Sequence, residues 1–120
     1  MITGILHASL LSSDLEKTRA FYEGVLGLQP DPSRPAMSYD GVWYNVAPSQ
    51  QIHILLLPSP DAGLSRTAYG GRDRHVALAV SDLAELIERL NRAGIAYTLS
   101  SSGRRALFCR DPDGNALELM

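Results

Sequence analysis

The sequence predicts an α+β fold made of two similar modules, each with its elements in the order β-α-β-β-β. The first observation is an internal repeat. His7–Leu15 and His75–Leu83 both begin with His in an apolar run and end in Ser-Asp-Leu. The second is that the modules close alike, since Gln51–Leu55 corresponds to Ala116–Met120. Because a repeated segment indicates a repeated structural unit, we expect each module to form its own curved sheet.

The domain organisation follows from this repeat and from the chain length. A chain of 120 residues has the usual size of one compact domain and can bury a substantial core. We expect one domain over residues 1–120, with module one at about 1–57 and module two at about 74–120. The segment between them, at about 58–73, is rich in Pro, Gly, Ser and Ala and is predicted to be a linker.

The first module begins with a predicted strand at Gly4–Leu11, which a helix follows. Ser13 is the predicted N-cap of this helix, because Glu16 three residues later completes a capping box. Gly27 suits the left-handed position that follows a helix end. The remaining strands of this module, with Gly41 as a hairpin turn, are predicted at Met37–Asp40, Val42–Ala47 and Gln51–Leu57.

The second module repeats this plan. A strand at Arg74–Val80 precedes a helix that Ser81 is predicted to cap and Gly94 to end. The segment Asp111–Gly114 predicts a tight turn, because proline presets φ at its second position and glycine suits its last. The remaining strands are predicted at Ala96–Leu99, Arg105–Cys109 and Ala116–Met120.

Composition and charge exclude several classes of function. The formal net charge of −2 gives no electrostatic basis for binding nucleic acid or an anionic membrane surface. The single cysteine, Cys109, excludes an internal disulfide and fits a reducing compartment. The sequence shows neither a signal peptide nor an apolar run of membrane-spanning length. We therefore expect a cytoplasmic protein without nucleic-acid or membrane partners.

Three histidines and one glutamate form the most informative set of side chains. His7 and His75 occupy equivalent positions in the first strands of the modules, and His53 and Glu118 in the last strands. A lone strand histidine is more often an ordinary core or surface residue, but every histidine of the chain falls at such a position. If the modules pack with pseudo-twofold symmetry, the four side chains line one cup. Imidazole and carboxylate suit Zn²⁺, Ni²⁺, Co²⁺, Mn²⁺ or Fe²⁺, so the sequence predicts one shared divalent-metal site.

Strand alternation assigns faces to the neighbouring side chains. It places Ile52 and Ile54 on one side of their strand and His53 on the other. Of the adjacent Trp43 and Tyr44, one faces the core and the other the opposite side. Weaker candidates for contact with a small-molecule substrate are Trp43, Tyr44, Phe108 and Arg110.

The remaining polar candidates have ordinary explanations. Arg104, Arg105 and Arg110 have the chemistry to hold a carboxylate or phosphate, but at least two of them are expected on the solvated surface. Cys109 is expected to be a small buried residue, because no histidine neighbours it in sequence and buried thiols are inert. The chain also lacks a glycine-rich phosphate loop, a nucleophile elbow and a cysteine pair for zinc.

Four segments together resemble the vicinal oxygen chelate superfamily. This superfamily includes glyoxalase I, methylmalonyl-CoA epimerase, fosfomycin-resistance proteins, bleomycin-resistance proteins and extradiol dioxygenases. The resemblance covers nearly the whole chain, but its motifs are uninformative about the reaction. The matching parts are His7 in its leading strand, Asp14–Leu28, Arg74–Val80 and Asp111–Leu119.

The resemblance implies that the paired modules form a metal cup with His7, His75 and Glu118 at the usual ligand positions. It further implies a homodimer and Lewis-acid catalysis on a substrate that offers two oxygens. His53 falls where glyoxalase I has a carboxylate, so that Glu118 is the one obvious carboxylate base. Whether His53 binds the ion stays open.

We expect a metal-dependent lyase or isomerase that acts on an oxygen-chelating small molecule, with Glu118, or another ligand displaced from the ion, as the catalytic base. An extradiol-type dioxygenase is the alternative enzyme, because two histidines and one carboxylate are the ligands of many non-haem iron oxygenases. A drug-sequestering protein of the bleomycin-resistance type, working without metal, is the alternative binding module. Fosfomycin-style transfer would require further polar anchors that the sequence does not identify.

Overall fold

The computed structural model describes all residues, Met1–Met120, and has an α+β architecture. The chain divides into two compact units, Met1–Ala62 and Gly63–Met120, and the division falls within the predicted linker. Each unit has the predicted order β-α-β-β-β and one four-stranded sheet. Neither α-helix has the length and apolar character that crossing a membrane requires.

The first unit contains a sheet of the order β1-β4-β3-β2. Strand β1 pairs in parallel with β4, and the other neighbours are antiparallel. The parallel pair is possible because a helix lies between these strands in the sequence. The strands are β1 (His7–Ser12), β2 (Gln29–Pro30), β3 (Gly41–Ala47) and β4 (Gln50–Leu56).

The helix of the first unit, α1 (Leu15–Arg19), continues as a π-helical segment, Ala20–Val25. Its wider turn is closed by the amide of Leu26, which donates to the carbonyl of Phe21 at 3.0 Å. A buried hydrogen bond of 2.6 Å between the hydroxyls of Ser12 and Thr18 ties the helix to β1. The largest fully buried side chains of this core are Tyr22, Tyr44, Ile52 and Ile54.

The second unit has a sheet of the order β5-β8-β7-β6, which repeats the topology of the first. Helix α2 (Leu83–Arg92) buries Leu86 and Leu90. A short 3₁₀ turn, Gly70–Arg72, precedes the sheet. The strands are β5 (His75–Leu78), β6 (Tyr97–Leu99), β7 (Leu107–Arg110) and β8 (Ala116–Leu119).

The predicted helix ends are confirmed, but both predicted N-caps are wrong by one residue. Asp14 accepts a hydrogen bond from the amide of Lys17 at 3.2 Å, and Asp82 accepts one from the amide of Glu85 at 3.0 Å. Both aspartates have the extended backbone of an N-cap. The preceding serines, Ser13 and Ser81, therefore lie outside the helices. Gly27 and Gly94 have φ of 74° and 68°, as predicted for the position after a helix end.

The hairpin predicted around Gly41 is also wrong. Met37–Asp40 forms no strand, because the carbonyl of Tyr39 accepts from the side chain of Arg34 at 2.9 Å. Gly41 instead begins β3, where a Cβ would collide with the carbonyl oxygen of Ile54. The hairpin turn lies at 48–49, between β3 and β4. The other predicted strands are present, with ends that differ by a few residues.

Candidate functional site

In the second unit, two of the predicted metal ligands lie in contact. His75 is on β5 and Glu118 is on the neighbouring parallel strand β8. His75 Nε2 lies 3.3 Å from Glu118 Oε2, and the Glu118 side chain is only 6% exposed. An imidazole nitrogen and a carboxylate oxygen that face each other at this distance attract a cation between them, either a proton or a metal ion.

The backbone fixes the orientation of the His75 ring. His75 Nδ1 lies 2.8 Å from the carbonyl oxygen of Asp73. Because a carbonyl only accepts, Nδ1 must carry a proton and donate it. The nitrogen that faces Glu118 is then Nε2, the one left for a cation. A carbonyl that holds the second ring nitrogen in this way is the usual support of a metal-binding histidine.

The separation of the two candidate ligand atoms also fits a shared ion. Bonds of zinc to imidazole nitrogen and to carboxylate oxygen measure about 2.0–2.2 Å, which places neighbouring ligand atoms roughly 3.0–3.5 Å apart. The 3.3 Å between His75 Nε2 and Glu118 Oε2 lies within that range. The edge of Phe108 packs against the His75 ring, with centroids 5.3 Å apart, and limits its rotation.

Arg104 holds the other oxygen of the same carboxylate. Its Nη2 donates to Glu118 Oε1 at 2.6 Å, and its Nε donates to the Ser102 hydroxyl at 3.2 Å. The Arg104 side chain is 55% exposed, although it reaches a nearly buried acid. The sequence identified Glu118 but not this partner, because Arg104 lies on the loop between β6 and β7, whose path has no periodic signal.

The same loop is fastened by Tyr69, which the sequence did not single out. The Tyr69 hydroxyl accepts from the amide and from the hydroxyl of Ser101, each at 3.2 Å. These hydrogen bonds stabilise the phenolate and lower the pKa of Tyr69. The Tyr69 ring packs edge-on against Phe108, with centroids 5.2 Å apart.

Arg110, a predicted substrate contact, is occupied by protein groups. Its guanidinium donates to Asp73 at 2.8 Å and to the carbonyls of Gly114 and Thr67 at 2.8 and 2.6 Å. Arg66 also contacts Asp73. The hydrogen bond from Arg110 is the main reason why the pKa of Asp73 is lowered. Arg110 thereby anchors the segment that carries the carbonyl partner of His75.

In the first unit, three rings form a stack across neighbouring strands. His53 lies between His7 and Trp43, with ring centroids 3.9 and 4.3 Å away and interplanar angles of 10° and 6°. Trp43 pairs directly with His53 across β3 and β4. Tyr44 lies on the opposite face, where it is fully buried and donates to Glu23 at 2.7 Å. Of the adjacent Trp43 and Tyr44, Trp43 is therefore the one that lies beside a candidate ligand, His53.

A network of amides determines which nitrogen of His53 is free. The amide nitrogen of Gln51 donates to Asp31 and to Asn45, at 2.7 and 2.8 Å. The Gln51 oxygen therefore faces His53 Nε2, 2.9 Å away, and this nitrogen must donate. Only Nδ1 of His53 remains available for an ion. Burial, and next the neighbouring His7, lower the pKa of His53.

The stacked arrangement of His7 and His53 differs from that of a chelating pair. The lone pair of an imidazole nitrogen lies in the plane of its ring. In two parallel rings 3.9 Å apart, the lone pairs lie in parallel planes and do not converge on one ion. His7 is exposed at the start of β1, and a rotation of its side chain would release it from the stack. The structure thus groups the four predicted ligands as two pairs. Within either unit, no three His, Cys, Asp or Glu side chains lie close enough to hold an ion.

Comparison with known proteins gives matches over almost the full chain. Residues 4–119 match the family model of the Glyoxalase/Bleomycin resistance protein/Dioxygenase superfamily. Glyoxylase I 4 of Arabidopsis thaliana is 27% identical over 123 residues, which cover 98% of this chain and 70% of the plant protein. The lactoylglutathione lyase of Salmonella typhimurium is 28% identical over 123 residues, which cover 97% of this chain and 90% of the lyase.

Solved structures show the same fold. The fosfomycin resistance protein FosX of Listeria monocytogenes superposes with a TM-score of 0.75 at 23% identity, covering 99% of this chain and 91% of FosX. The glyoxalase I of Leishmania major superposes with a TM-score of 0.74 at 24% identity, covering 99% of this chain and 86% of that enzyme. These likenesses establish the architecture.

Proposed function

The chain belongs to the Glyoxalase/Bleomycin resistance protein/Dioxygenase superfamily, and we propose that it is a metal-dependent lyase or isomerase acting on an oxygen-chelating small molecule. The observation that supports this most is the contact of His75 with Glu118, supported from behind by the Asp73 carbonyl. A lactoylglutathione lyase among the relatives supports the reaction class. The fit of the two ligand atoms to a common ion supports the metal.

In this proposal, His75 Nε2 and Glu118 Oε2 would hold a divalent ion of Ni, Zn, Co, Mn or Fe. His7, once released from the ring stack, and His53, through Nδ1, would complete the predicted set of four ligands. When bound, the ion supplies Lewis-acid stabilisation of negative charge on the substrate oxygens.

The side chains of this chain have separate tasks in the reaction. Glu118 is the proposed base, because it is the carboxylate that accompanies the histidines and can take a proton next to the bound oxygens. Arg104 holds its second oxygen and so directs Oε2 toward His75. Phe108 and Trp43 are proposed apolar contacts of the substrate, since each packs against a candidate ligand.

The ring stack favours a second candidate function, an extradiol-type dioxygenase. If stacking against Trp43 keeps His53 from the ion, then His7, His75 and Glu118 remain. Two histidines and one carboxylate with open positions are the ligands of non-haem iron oxygenases. Bound iron and consumption of O₂ with a catechol would support this candidate over the lyase.

Elemental analysis of protein purified without a histidine tag or a chelator tests the metal. We expect about one ion per chain, and at least a tenfold loss in the separate variants His75→Ala and Glu118→Gln. Glu85→Gln is the matched control, because Glu85 is an exposed acid that pairs with Arg89 on α2. Thermal unfolding of each variant checks that its fold is retained.

The two remaining histidines are tested in the same way. His7→Ala should lose the ion, whereas His53→Phe, which keeps a ring in the stack, separates the four-ligand from the three-ligand arrangement. Loss of the ion in His53→Phe supports four ligands, and its retention supports three. If the native protein holds no ion and takes none up on reconstitution, the enzyme proposal fails, and a drug-sequestering module without metal is the better account.

A further inference from the structure

We propose that Arg104 is a substrate-recognition residue, and that it selects substrates carrying an oxyanion, a carboxylate or phosphonate, next to their chelating oxygens. This inference rests on the proposed function, since it concerns the same His75–Glu118 site and names the class of substrate that the site accepts. It arises from the unused donors of Arg104 and from their fixed position beside Glu118.

The guanidinium of Arg104 is held at two points. Nη2 donates to Glu118 Oε1 at 2.6 Å, and Nε donates to Ser102 at 3.2 Å. Hydrogen bonds to an ionised acceptor are among the strongest in proteins. The orientation of the guanidinium plane is thereby determined before any substrate arrives, and such preorganisation lowers the cost of binding a ligand.

The loop that carries Arg104 is itself fixed. Tyr69 accepts two hydrogen bonds from Ser101, and the hydroxyls of Ser100 and Ser102 lie 2.8 Å apart. The amide of Ser100 donates to the carbonyl of Ala106 at 2.9 Å, which closes the base of the loop. Arg104 therefore reaches Glu118 from a supported position, unlike an arginine on a free surface loop.

Most of the hydrogen-bonding capacity of Arg104 is unused. A guanidinium has five N–H donors, and Arg104 uses one on Nε and one on Nη2. Both donors of Nη1 and the second donor of Nη2 remain, on a side chain that is 55% exposed. Donors of this fork geometry match the two oxygens of a carboxylate or phosphonate.

These unused donors lie next to the candidate metal ligands. Arg104 contacts Oε1 of Glu118 and His75 contacts Oε2. The guanidinium therefore lies one carboxylate group away from the oxygen that faces His75. Arg104 need not move for Glu118 Oε2 and His75 Nε2 to act as ligands. A small molecule whose oxygens chelate an ion held by these two atoms would bring an adjacent acid group to Arg104.

Three hydroxamate probes test this inference. Acetohydroxamic acid chelates a metal through two oxygens and has no charged arm, whereas malonic monohydroxamic acid adds a carboxylate and phosphonoacetohydroxamic acid adds a phosphonate. Calorimetric titration of the full-length, metal-loaded protein measures the Kd of each. We expect at least one anionic probe to bind about tenfold to hundredfold more tightly than acetohydroxamic acid, and the better one identifies the acid group.

Variants assign the gain to Arg104. In Arg104→Gln, the anionic probe should bind less than about twofold more tightly than acetohydroxamic acid. The affinity for acetohydroxamic acid itself should stay within about threefold of the native value. Arg104→Lys should keep part of the gain, because a lysine retains the charge without the fork. Arg105→Gln is the matched control, since it removes a neighbouring exposed arginine of the same charge.

The outcomes separate this inference from the proposed function. The role of Arg104 is overturned if acetohydroxamic acid binds and neither anionic probe binds more tightly than it does. It is also overturned if the tighter binding of an anionic probe persists in Arg104→Gln. In both cases the metal site stands. An equal loss in Arg105→Gln also overturns the role of Arg104, because the effect would then be general electrostatic attraction. If none of the probes binds the native protein, the metal site itself fails.

Discussion

The histidines of this chain differ in which ring nitrogen is free, because their hydrogen-bond partners differ. The Asp73 carbonyl accepts a hydrogen bond from Nδ1 of His75, which leaves Nε2 facing a carboxylate. The side-chain oxygen of Gln51 accepts from Nε2 of His53, which leaves Nδ1, and the His53 ring lies between those of His7 and Trp43. The two histidines therefore leave different ring nitrogens free, and the free nitrogen of His75 is the one that already faces a carboxylate.

Cys109 is predicted to be unreactive in the native protein. Burial is the main cause that raises the pKa of its thiol to about 12, and nearby Asp111 adds to it, so almost no thiolate exists at neutral pH. Titration with a chromogenic disulfide reagent at about pH 8 should label none of it within minutes. Unfolding in denaturant should release one thiol per chain, and Cys109→Ala supplies the blank. Rapid labelling of the folded protein would show that the thiol is accessible.

Each helix begins at a leucine that follows an Ser-Asp pair, and the aspartate supplies the cap. The first helix then widens into the π-helical segment, whereas α2 stays regular up to its end. Both helices close on a glycine of positive φ, because a side chain is strained in that conformation. The closing glycines are local features, which is why the helix ends were predicted, whereas both N-caps lie one residue after the predicted serines.

Paired substitutions in front of α2 measure the cap directly. Asp82→Ala should lower the free energy of unfolding by about 1 kcal/mol, because it removes the acceptor of the Glu85 amide. Ser81→Ala should change it by less than about 0.5 kcal/mol. Urea denaturation of the two variants and the native protein gives both values. If Ser81→Ala lowers the free energy of unfolding more than Asp82→Ala does, Ser81 is the N-cap, as the sequence predicted.

The whole chain repeats one sheet topology in two units. Several large apolar side chains remain exposed. Ile2, Ile5 and Leu6 lie in the short segment before β1. Exposed apolar side chains grouped in this way often mark an interaction surface. We therefore predict that this segment lies in the interface of the homodimer that the family resemblance implies.

Light scattering coupled to gel filtration tests the dimer. We expect a mass of twice the 13.0 kDa of one chain. The double variant Ile5→Glu, Leu6→Glu should shift the mass toward the monomer, because burying two carboxylates in an interface is costly. Leu64→Glu, at another exposed leucine, is the control and should leave the mass unchanged. A native protein of 13.0 kDa at micromolar concentration would contradict the prediction.

The sequence by itself determined the repeated β-α-β-β-β order, the helix ends and the faces of β4. Each of these depends on local conformational preference or on a period of two, both of which are visible along the chain. Only the tertiary structure assigned the two-residue strand β2, which pairs with Asn45 and Tyr44 and carries no periodic signal of its own.

The tertiary structure also decided the partners of the candidate ligands. Arg104, on the loop between β6 and β7, contacts Glu118 on β8, and Gln51 turns its oxygen to His53 because its amide nitrogen bonds to Asp31 and Asn45. Such contacts depend on the path of the chain and on which hydrogen bonds are already satisfied. The sequence names the residue types that can serve as ligands, whereas the neighbouring donors and acceptors decide which of their atoms remain free.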